Sequence, residues 1–203
     1  RRARGDEQLN YVGFSYGTHL GQVYAEKFPG RIRTMVLDAV VDPALGFEEM
    51  LIEQAVAFDE AFERSAGACT RAGRDECAVD DLGPAYDEVM EIVEESPLPT
   101  STGGRAGPSE LATAAILTSY TQDGWQALGP ALADALEGDG TYLLELANAY
   151  WDFDGYSAYI AVVCIDTPPP RGVEAYRAFA DRAEEAAPRF GAAVANELVP
   201  CAT

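Results

Sequence analysis

The sequence contains one histidine and one lysine among its 203 residues. With 14 basic residues against 34 acidic residues, its formal charge is −20. Because binding to nucleic acid depends on basic side chains that neutralise phosphates, we expect no nucleic-acid partner. The excess acid favours solubility, and it could also steer a cationic substrate. No apolar run reaches the roughly 18 residues of a membrane-spanning helix, so we expect no membrane span here.

The sequence is also poor in cysteine, with four residues that allow three pairings. Cys69 and Cys77 flank a polar stretch with too few apolar residues to pack by itself, which predicts a local disulfide. Cys164 and Cys201 then form the second pair. Bridges indicate a secreted or envelope-associated protein, whereas four free thiols would indicate a cytosolic enzyme.

The sequence offers no metal or cofactor motif. The cysteines lack C-x₂-C spacing and no histidine lies near them, so we expect no metal. The segment DFDG at residues 152–155 has half of a calcium loop but lacks the remaining ligands and the closing glutamate. We therefore predict that the protein uses no cofactor.

The most informative motif is GFSYG at residues 13–17, which follows an apolar run and precedes a helical pattern. Strand, G-x-S-x-G and helix together are typical of a nucleophile elbow. We predict that Ser15 is an exposed nucleophile, flanked by glycines because a Cβ would clash there. The backbone N–H of Tyr16, at the helix N-terminus, is the expected oxyanion donor. The alternative is a glycine-rich turn that only packs.

A serine nucleophile needs a general base, usually a histidine held by a carboxylate. His19 lies one helical turn after Ser15, and we interpret it as a packed or surface residue of that helix. In proteins with a nucleophile elbow, the acid and the base of the triad follow the serine in the sequence, so we expect both beyond Thr203. We expect the oxyanion loop upstream, where residues 1–5 are typical of a helix end closed by glycine. The sequence is thus interpreted as an internal fragment, inactive alone.

The order of elements predicts a partial α/β-hydrolase fold with an inserted, all-helical cap. A β-rich run at residues 33–41 completes a βαβ unit and is expected to be buried on both faces. Residues 156–165 fit either a helix or a strand. We expect a core segment at 1–45, a cap at 46–160 and a return to the core at 161–203. Predicted helices cover 47–67, 82–96, 110–120 with Ser109 as N-cap, 125–136, 142–151 and a final one at 173–187.

Together these residues resemble the tripeptidyl aminopeptidase family of secreted actinobacterial α/β hydrolases, which are related to proline iminopeptidases. The likeness is carried by GFSYGT at 13–18, FPGR at 28–31, VLD at 36–38, VDP at 41–43, VCID at 163–166 and PC at 200–201. It also includes cap positions such as Tyr120 and Trp125. His19 departs from the family, which has an aromatic residue there.

The resemblance implies a serine hydrolase that forms an acyl-enzyme and removes short peptides from free N-termini. The substrate would be a small peptide or, as in some members, an ester. Acidic groups would hold the substrate ammonium, with Asp166 and Asp152 as candidates. The alternatives are a carboxylesterase or lipase-like hydrolase, and a hydrolase-like binding protein whose triad has decayed.

Overall fold

The computed structural model of the protein describes residues 5–152, 156–166 and 169–202. Its chain divides into two compact units, Arg1–Met50 and Leu51–Thr203. The first unit contains a two-stranded sheet, and the second unit is mainly helical.

The first unit is a βαβ unit, as predicted. Strand β1 (Leu9–Phe14) leads into helix α1 (Tyr16–Lys27), and a short 3₁₀ turn (Pro29–Arg31) leads into strand β2 (Ile32–Asp38). The strands are parallel, with Leu9 opposite Ile32 and Phe14 opposite Asp38. Parallel strands need a crossover connection, which α1 supplies while it packs against both strands. Both strands therefore end at the same edge of the sheet, beside Ser15.

The prediction that β2 is buried on both faces is wrong for the described structure. None of its residues is buried, and Val36 is 57 % exposed. Val12 and Phe14 of β1 are 60 % and 65 % exposed. The physical reason is that the described sheet has two strands and one helix packed against it, which leaves apolar side chains of the sheet uncovered.

Helices dominate the rest of the chain, where the only strands of the described residues form a small antiparallel pair. The helices are α2 (Phe47–Ala72), α3 (Arg74–Cys77), α4 (Leu82–Glu95), α5 (Pro108–Ser119), α6 (Trp125–Leu136), α7 (Thr141–Trp151), α8 (Tyr156–Asp166), α9 (Val173–Ala186) and α10 (Gly191–Glu197), and they are completed by a 3₁₀ turn (Val199–Ala202) and by strands β3 (Leu98–Pro99) and β4 (Arg105–Ala106).

Two helix boundaries differ from the predictions by more than one residue. Helix α2 continues past Gly67 to Ala72, because one glycine costs a helix only about 1 kcal/mol relative to alanine. Helix α5 begins at Pro108, not after Ser109, and Gly107 occupies the N-cap position. There the Glu110 carboxylate accepts the Gly107 N–H at 2.8 Å. Proline suits the first helical position because its missing N–H has no intrahelical role there.

The C-terminal part of the chain is also more helical than predicted. The ambiguous segment is helix α8, and α10 follows the helix that was expected to be the last. The described residues after 160 belong to the helical unit. The predicted return to a core at 161–203 stays a prediction, and of the predicted helix end at 1–5, residues 1–4 lie outside the described residues.

The helical unit has an aromatic core and two covalent cross-links. The rings of Phe62, Tyr86 and Phe190 meet edge to face, with centroids 5.4 to 5.9 Å apart. Disulfides join Cys69 to Cys77 and Cys164 to Cys201, with Cα atoms 5.2 Å apart in each, which is the predicted pairing. Within the described ranges, no helix has the length and apolar character that crossing a membrane requires.

Candidate active site

Ser15 lies in the turn between β1 and α1 with φ 51° and ψ −122°. Few residues other than glycine adopt positive φ, because the Cβ then crowds the backbone. Such a conformation costs about 1–3 kcal/mol and persists only where surrounding bonds hold it. The side chain of Ser15 is exposed. Ser15 thus lies at a sharp strand-to-helix turn, where its side chain is exposed to solvent.

The backbone of Ser15 is held from both sides. Its N–H donates to the carbonyl of Asp38 at 3.0 Å, at the end of β2. Its carbonyl accepts the N–H of Thr18 at 2.8 Å and the Thr18 hydroxyl at 2.7 Å. Thr18 is fully buried, and its Oγ1 also accepts the N–H of Val41 at 2.9 Å. These bonds tie the turn to the segment after β2.

The glycines around Ser15 have different roles. A Cβ on Gly13 would lie 2.6 Å from the Gly17 carbonyl oxygen, and one on Gly21 would lie 2.7 Å from the Tyr11 ring. A Cβ on Gly17 would meet only the Tyr11 hydroxyl, at 3.5 Å, which is an ordinary contact. The predicted clash is therefore correct for Gly13 and wrong for Gly17, whose carbonyl instead accepts the Tyr11 hydroxyl at 2.6 Å.

The Ser15 hydroxyl is not used to cap α1. Serine at an N-cap usually accepts a backbone N–H of the first turn, but Ser15 makes no such bond. Its hydroxyl is therefore available for another role. The N–H of Tyr16 belongs to the first turn of α1, where N–H groups and the helix dipole favour a developing negative charge.

His19 does not assist Ser15 in the described structure. Its ring stacks on Tyr16, with centroids 5.7 Å apart and planes at 23°. Within the described residues, no hydrogen bond joins His19 to Ser15. The observation agrees with the interpretation of His19 as a packed helix residue.

The two aspartates proposed to hold an ammonium lie at helix ends in the other unit. Asp152 is the C-cap of α7, and Asp166 is the last residue of α8; both are exposed. Residues 153–155 of the weak calcium motif lie outside the described residues. Among the described residues, no group of three or more His, Cys, Asp or Glu side chains is placed to hold a metal ion.

Sequence reasoning missed a partly buried glutamate in the helical unit. Glu197, at the end of α10, accepts the Tyr150 hydroxyl at 3.3 Å. Its burial raises the pKa of its carboxyl, an effect that the Tyr150 bond partly offsets. Burial, followed by the nearby charge of Glu197, raises the pKa of Tyr156 to about 12. Glu197 and both tyrosines line a cavity of about 760 Å³. The signal in the sequence is the density of tyrosines at 150–159.

Comparison with known protein families gives a match for the first part of the chain. Residues 1–74 match a family model described as the alpha/beta hydrolase fold. The match covers the nucleophile-elbow motif and the βαβ unit around it. The chain therefore contains a segment of an α/β-hydrolase fold, joined in sequence to a helical block.

Individual relatives extend the similarity over most or all of the chain. The tripeptidyl aminopeptidase of Streptomyces lividans is 29 % identical over 225 residues, covering 100 % of this chain and 40 % of the relative. The serine protease Hip1 of Mycobacterium tuberculosis is 32 % identical over 185 residues, covering 83 % and 36 %. Carboxylesterase B of the same species is 34 % identical over 173 residues, covering 80 % and 33 %.

These matches confirm the resemblance to the tripeptidyl aminopeptidases. They also show that the chain spans about a third to two fifths of the length of the curated relatives it matches.

Proposed function

We propose that Ser15 is the nucleophile of a serine hydrolase that removes short peptides from free N-termini. The observation that supports it most is the positive φ of Ser15, a strained and exposed serine between β1 and α1. Strain at a single residue, held by bonds from Thr18 and Asp38, is typical of functional positions. A serine protease and a tripeptidyl aminopeptidase among the relatives support the peptide substrate.

The chemistry follows the general acyl-transfer sequence. The Ser15 Oγ attacks the carbonyl carbon of the peptide bond while a base removes its proton, and the carbonyl oxygen becomes an oxyanion. The Tyr16 N–H is the proposed donor to that oxyanion. The amine leaves with a proton, and water then releases the acyl group from Ser15. We assign the acid and the base of the triad to no residue of this chain.

The disulfides support an exported protein. All cysteines of the described residues are paired, and such bridges persist in oxidising compartments. We therefore propose that the enzyme acts outside the cytoplasm or at the cell envelope.

The test is active-site labelling and turnover of the full-length protein. We expect a fluorophosphonate probe to label Ser15, and Ser15→Ala to lower kcat on tripeptide p-nitroanilides by several orders of magnitude without altering the circular dichroism spectrum. Ser157→Ala, which removes an exposed hydroxyl on α8, is the control and should keep full activity. Labelling of another residue, or unchanged turnover in Ser15→Ala, would overturn the assignment.

The second candidate is a carboxylesterase, favoured by the 34 % identity to carboxylesterase B. The two candidates differ in their use of the substrate amine. An aminopeptidase should lose activity when the tripeptide amine is acetylated, whereas an esterase should cleave p-nitrophenyl esters regardless of an amine. Equal cleavage of free and acetylated peptides contradicts the aminopeptidase and leaves the hydrolase.

A further inference from the structure

Tyr11, in strand β1, packs against the nucleophile elbow. A Cβ on Gly13 or on Gly21 would come within 2.7 Å of the Tyr11 ring, so these two glycines leave the space that the ring occupies. The Tyr11 hydroxyl donates a hydrogen bond to the carbonyl oxygen of Gly17 at 2.6 Å, in a part-buried position. The ring and the hydroxyl together hold Tyr11 beside the first turn of α1.

The carbonyl that Tyr11 binds belongs to the same peptide unit as the N–H of Thr18. A peptide unit is planar, and because the described chain contains no cis bond, its C=O and N–H point in opposite directions. The N–H of Thr18 donates to the carbonyl of Ser15 at 2.8 Å. Tyr11 therefore binds one end of a rigid unit whose other end binds Ser15.

The carbonyl of Ser15 in turn shares a peptide unit with the N–H of Tyr16. It accepts two hydrogen bonds from Thr18, one from the N–H at 2.8 Å and one from the hydroxyl at 2.7 Å. Because this unit is planar too, the direction of its carbonyl fixes the direction of the Tyr16 N–H. The Tyr16 N–H is the proposed oxyanion donor, and such a donor is effective when it is held in place before the charge develops.

These bonds form a hydrogen-bond relay that runs from the Tyr11 hydroxyl, through the Gly17–Thr18 and Ser15–Tyr16 peptide units, to the Tyr16 N–H. Each bond of the relay restrains the rotation of one peptide unit. Each also polarises the next, since hydrogen bonds in series strengthen one another by roughly 10–30 % per bond. The Tyr11 hydroxyl should thus make the Tyr16 N–H both better oriented and a stronger donor.

We propose that Tyr11 is a positioning residue for the oxyanion donor, and that its hydroxyl acts on the Tyr16 N–H through this relay. Tyr11 itself does not touch the substrate in this role. The inference rests on the proposed function, because it takes the oxyanion to form beside Tyr16 when Ser15 attacks.

The alternative role for Tyr11 is packing alone. Its ring fills the space that Gly13 and Gly21 leave, and a phenylalanine ring would fill it equally well. Tyr11→Phe therefore separates the two roles, because it keeps the ring and removes only the donor to the Gly17 carbonyl.

The first measurement is the turnover of full-length Tyr11→Phe on tripeptide p-nitroanilides and on p-nitrophenyl esters. Loss of one neutral hydrogen bond should lower kcat roughly three- to tenfold. KM should stay within about twofold, because the oxyanion exists only in the transition state and the tetrahedral intermediate. The extent of labelling by a fluorophosphonate gives the concentration of active protein, so partial unfolding does not mimic the loss. An unchanged kcat, or an effect on KM alone, would overturn the proposal.

Tyr24→Phe is the matched control. It removes a hydroxyl near the other end of α1, where the Tyr24 ring packs on Phe28 with centroids 5.1 Å apart. This variant should keep the kcat of wild type. If it loses as much as Tyr11→Phe, a general loosening of α1 explains both results and the proposal is wrong.

A tripeptide aldehyde gives a readout that packing alone would not change. The Ser15 Oγ adds to the aldehyde carbon, and the former carbonyl oxygen then occupies the position of the oxyanion. Tyr11→Phe should weaken the aldehyde by about the factor by which kcat/KM falls, and should leave the affinity of the tripeptide product unchanged. Equal weakening of the aldehyde and the product would overturn the proposal.

Amide NMR tests the relay without reference to catalysis. In full-length protein labelled with ¹⁵N-tyrosine, the Tyr16 resonance is identified by its absence from Tyr16→Phe. Tyr11→Phe should move the amide proton of Tyr16 upfield, because the weakened relay polarises this N–H less. Tyr24→Phe should leave it in place. A Tyr16 resonance that does not move in Tyr11→Phe would overturn the proposal.

The measurements also separate this inference from the proposed function. A shifted Tyr16 resonance, in a protein whose Ser15 resists the fluorophosphonate, supports the relay and contradicts the hydrolase. Labelling of Ser15 with a turnover that Tyr11→Phe does not change supports the hydrolase and overturns the role of Tyr11.

Discussion

Thr18 is buried and makes three hydrogen bonds, one through its backbone N–H and two through its hydroxyl. Its N–H and its hydroxyl donate to the carbonyl of Ser15, and its Oγ1 accepts from the N–H of Val41. Gln22 extends the same network by donating to the carbonyls of Thr18 and Val41, at 3.2 and 2.8 Å. The strained φ of Ser15 is therefore supported by a residue that does not itself face solvent.

Thr18→Val tests that support. Valine keeps the volume but removes the hydroxyl, so the part-buried N–H of Val41 loses its acceptor. We expect a loss of about 1–3 kcal/mol in the free energy of unfolding, measured by urea denaturation. We also expect a lower kcat with little change in KM, because Ser15 would be less well positioned.

Thr34→Val is the matched control, because Thr34 donates to Asn10 on the exposed surface of the sheet. It should cost less than about 0.5 kcal/mol. If Thr18→Val is as harmless as Thr34→Val, the turn does not need this network.

At the scale of elements, the sequence predicted whether a segment is a helix or a strand better than it predicted where that segment begins and ends. The elbow, both strands and α6 follow from local patterns: an apolar run, a G-x-S-x-G turn and a 3.6-residue periodicity. The N-terminus of α5 was wrong because Pro108 and Glu110 together outweigh Ser109 as a cap. Helix α8 was ambiguous because it is apolar over nearly its whole length, which leaves no stripe to read.

The cavity beside Glu197 was not predictable from local patterns. Its lining comes from α4, α5, α7, α8, α9 and α10, segments that are distant in the sequence. Asp152 and Asp166 are the acidic candidates that the family resemblance suggests in the cap and post-cap segments, whereas the carboxylate that burial affects most clearly in this region is Glu197. Which carboxylate loses water depends on tertiary packing, and one sequence without its contacts does not contain that information.

The start of α4 offers a prediction about one helix. Asp81 is its N-cap, in extended conformation, and its Oδ1 accepts the N–H of Gly83 at 3.0 Å. Asp81→Ala should lower the free energy of unfolding by about 1 kcal/mol, because one orphan N–H of the first turn loses its acceptor.

The neighbouring Asp80 is a control of equal charge. It pairs with Arg74 at 2.8 Å, but both side chains are more than two-thirds exposed. Such surface pairs contribute about 0–1 kcal/mol, and salt screens them. Asp80→Ala should therefore cost less than Asp81→Ala, and only its effect should disappear in 0.5 M salt. Equal losses in both variants would show that charge, rather than capping, stabilises this turn.

At the scale of the whole molecule, the covalent links fall in the helical unit only. Cys69–Cys77 joins α2 to α3 across 8 residues, whereas Cys164–Cys201 joins α8 to the last 3₁₀ turn across 37 residues. The carboxyl-terminal turn is thereby fixed to α8, close in sequence to Glu197 and to the tyrosines of the cavity.

The two bridges should differ in their effect on stability. If a disulfide acts mainly by restricting the unfolded chain, the short loop contributes roughly 2.5 kcal/mol and the long loop roughly 4 kcal/mol. Replacing both cysteines of a pair by alanine should therefore destabilise the protein more for Cys164 and Cys201, as measured by urea denaturation. Comparing each double variant with wild type when both proteins are fully reduced leaves no disulfide in the comparison, so the remaining difference includes the lost sulfur volume of that pair.

Because Cys69 and Cys77 are fully buried, their removal also creates a cavity. If the short loop still costs less despite that cavity, loop closure dominates; if it costs more, packing of the buried sulfurs dominates and the entropic account is wrong for this protein.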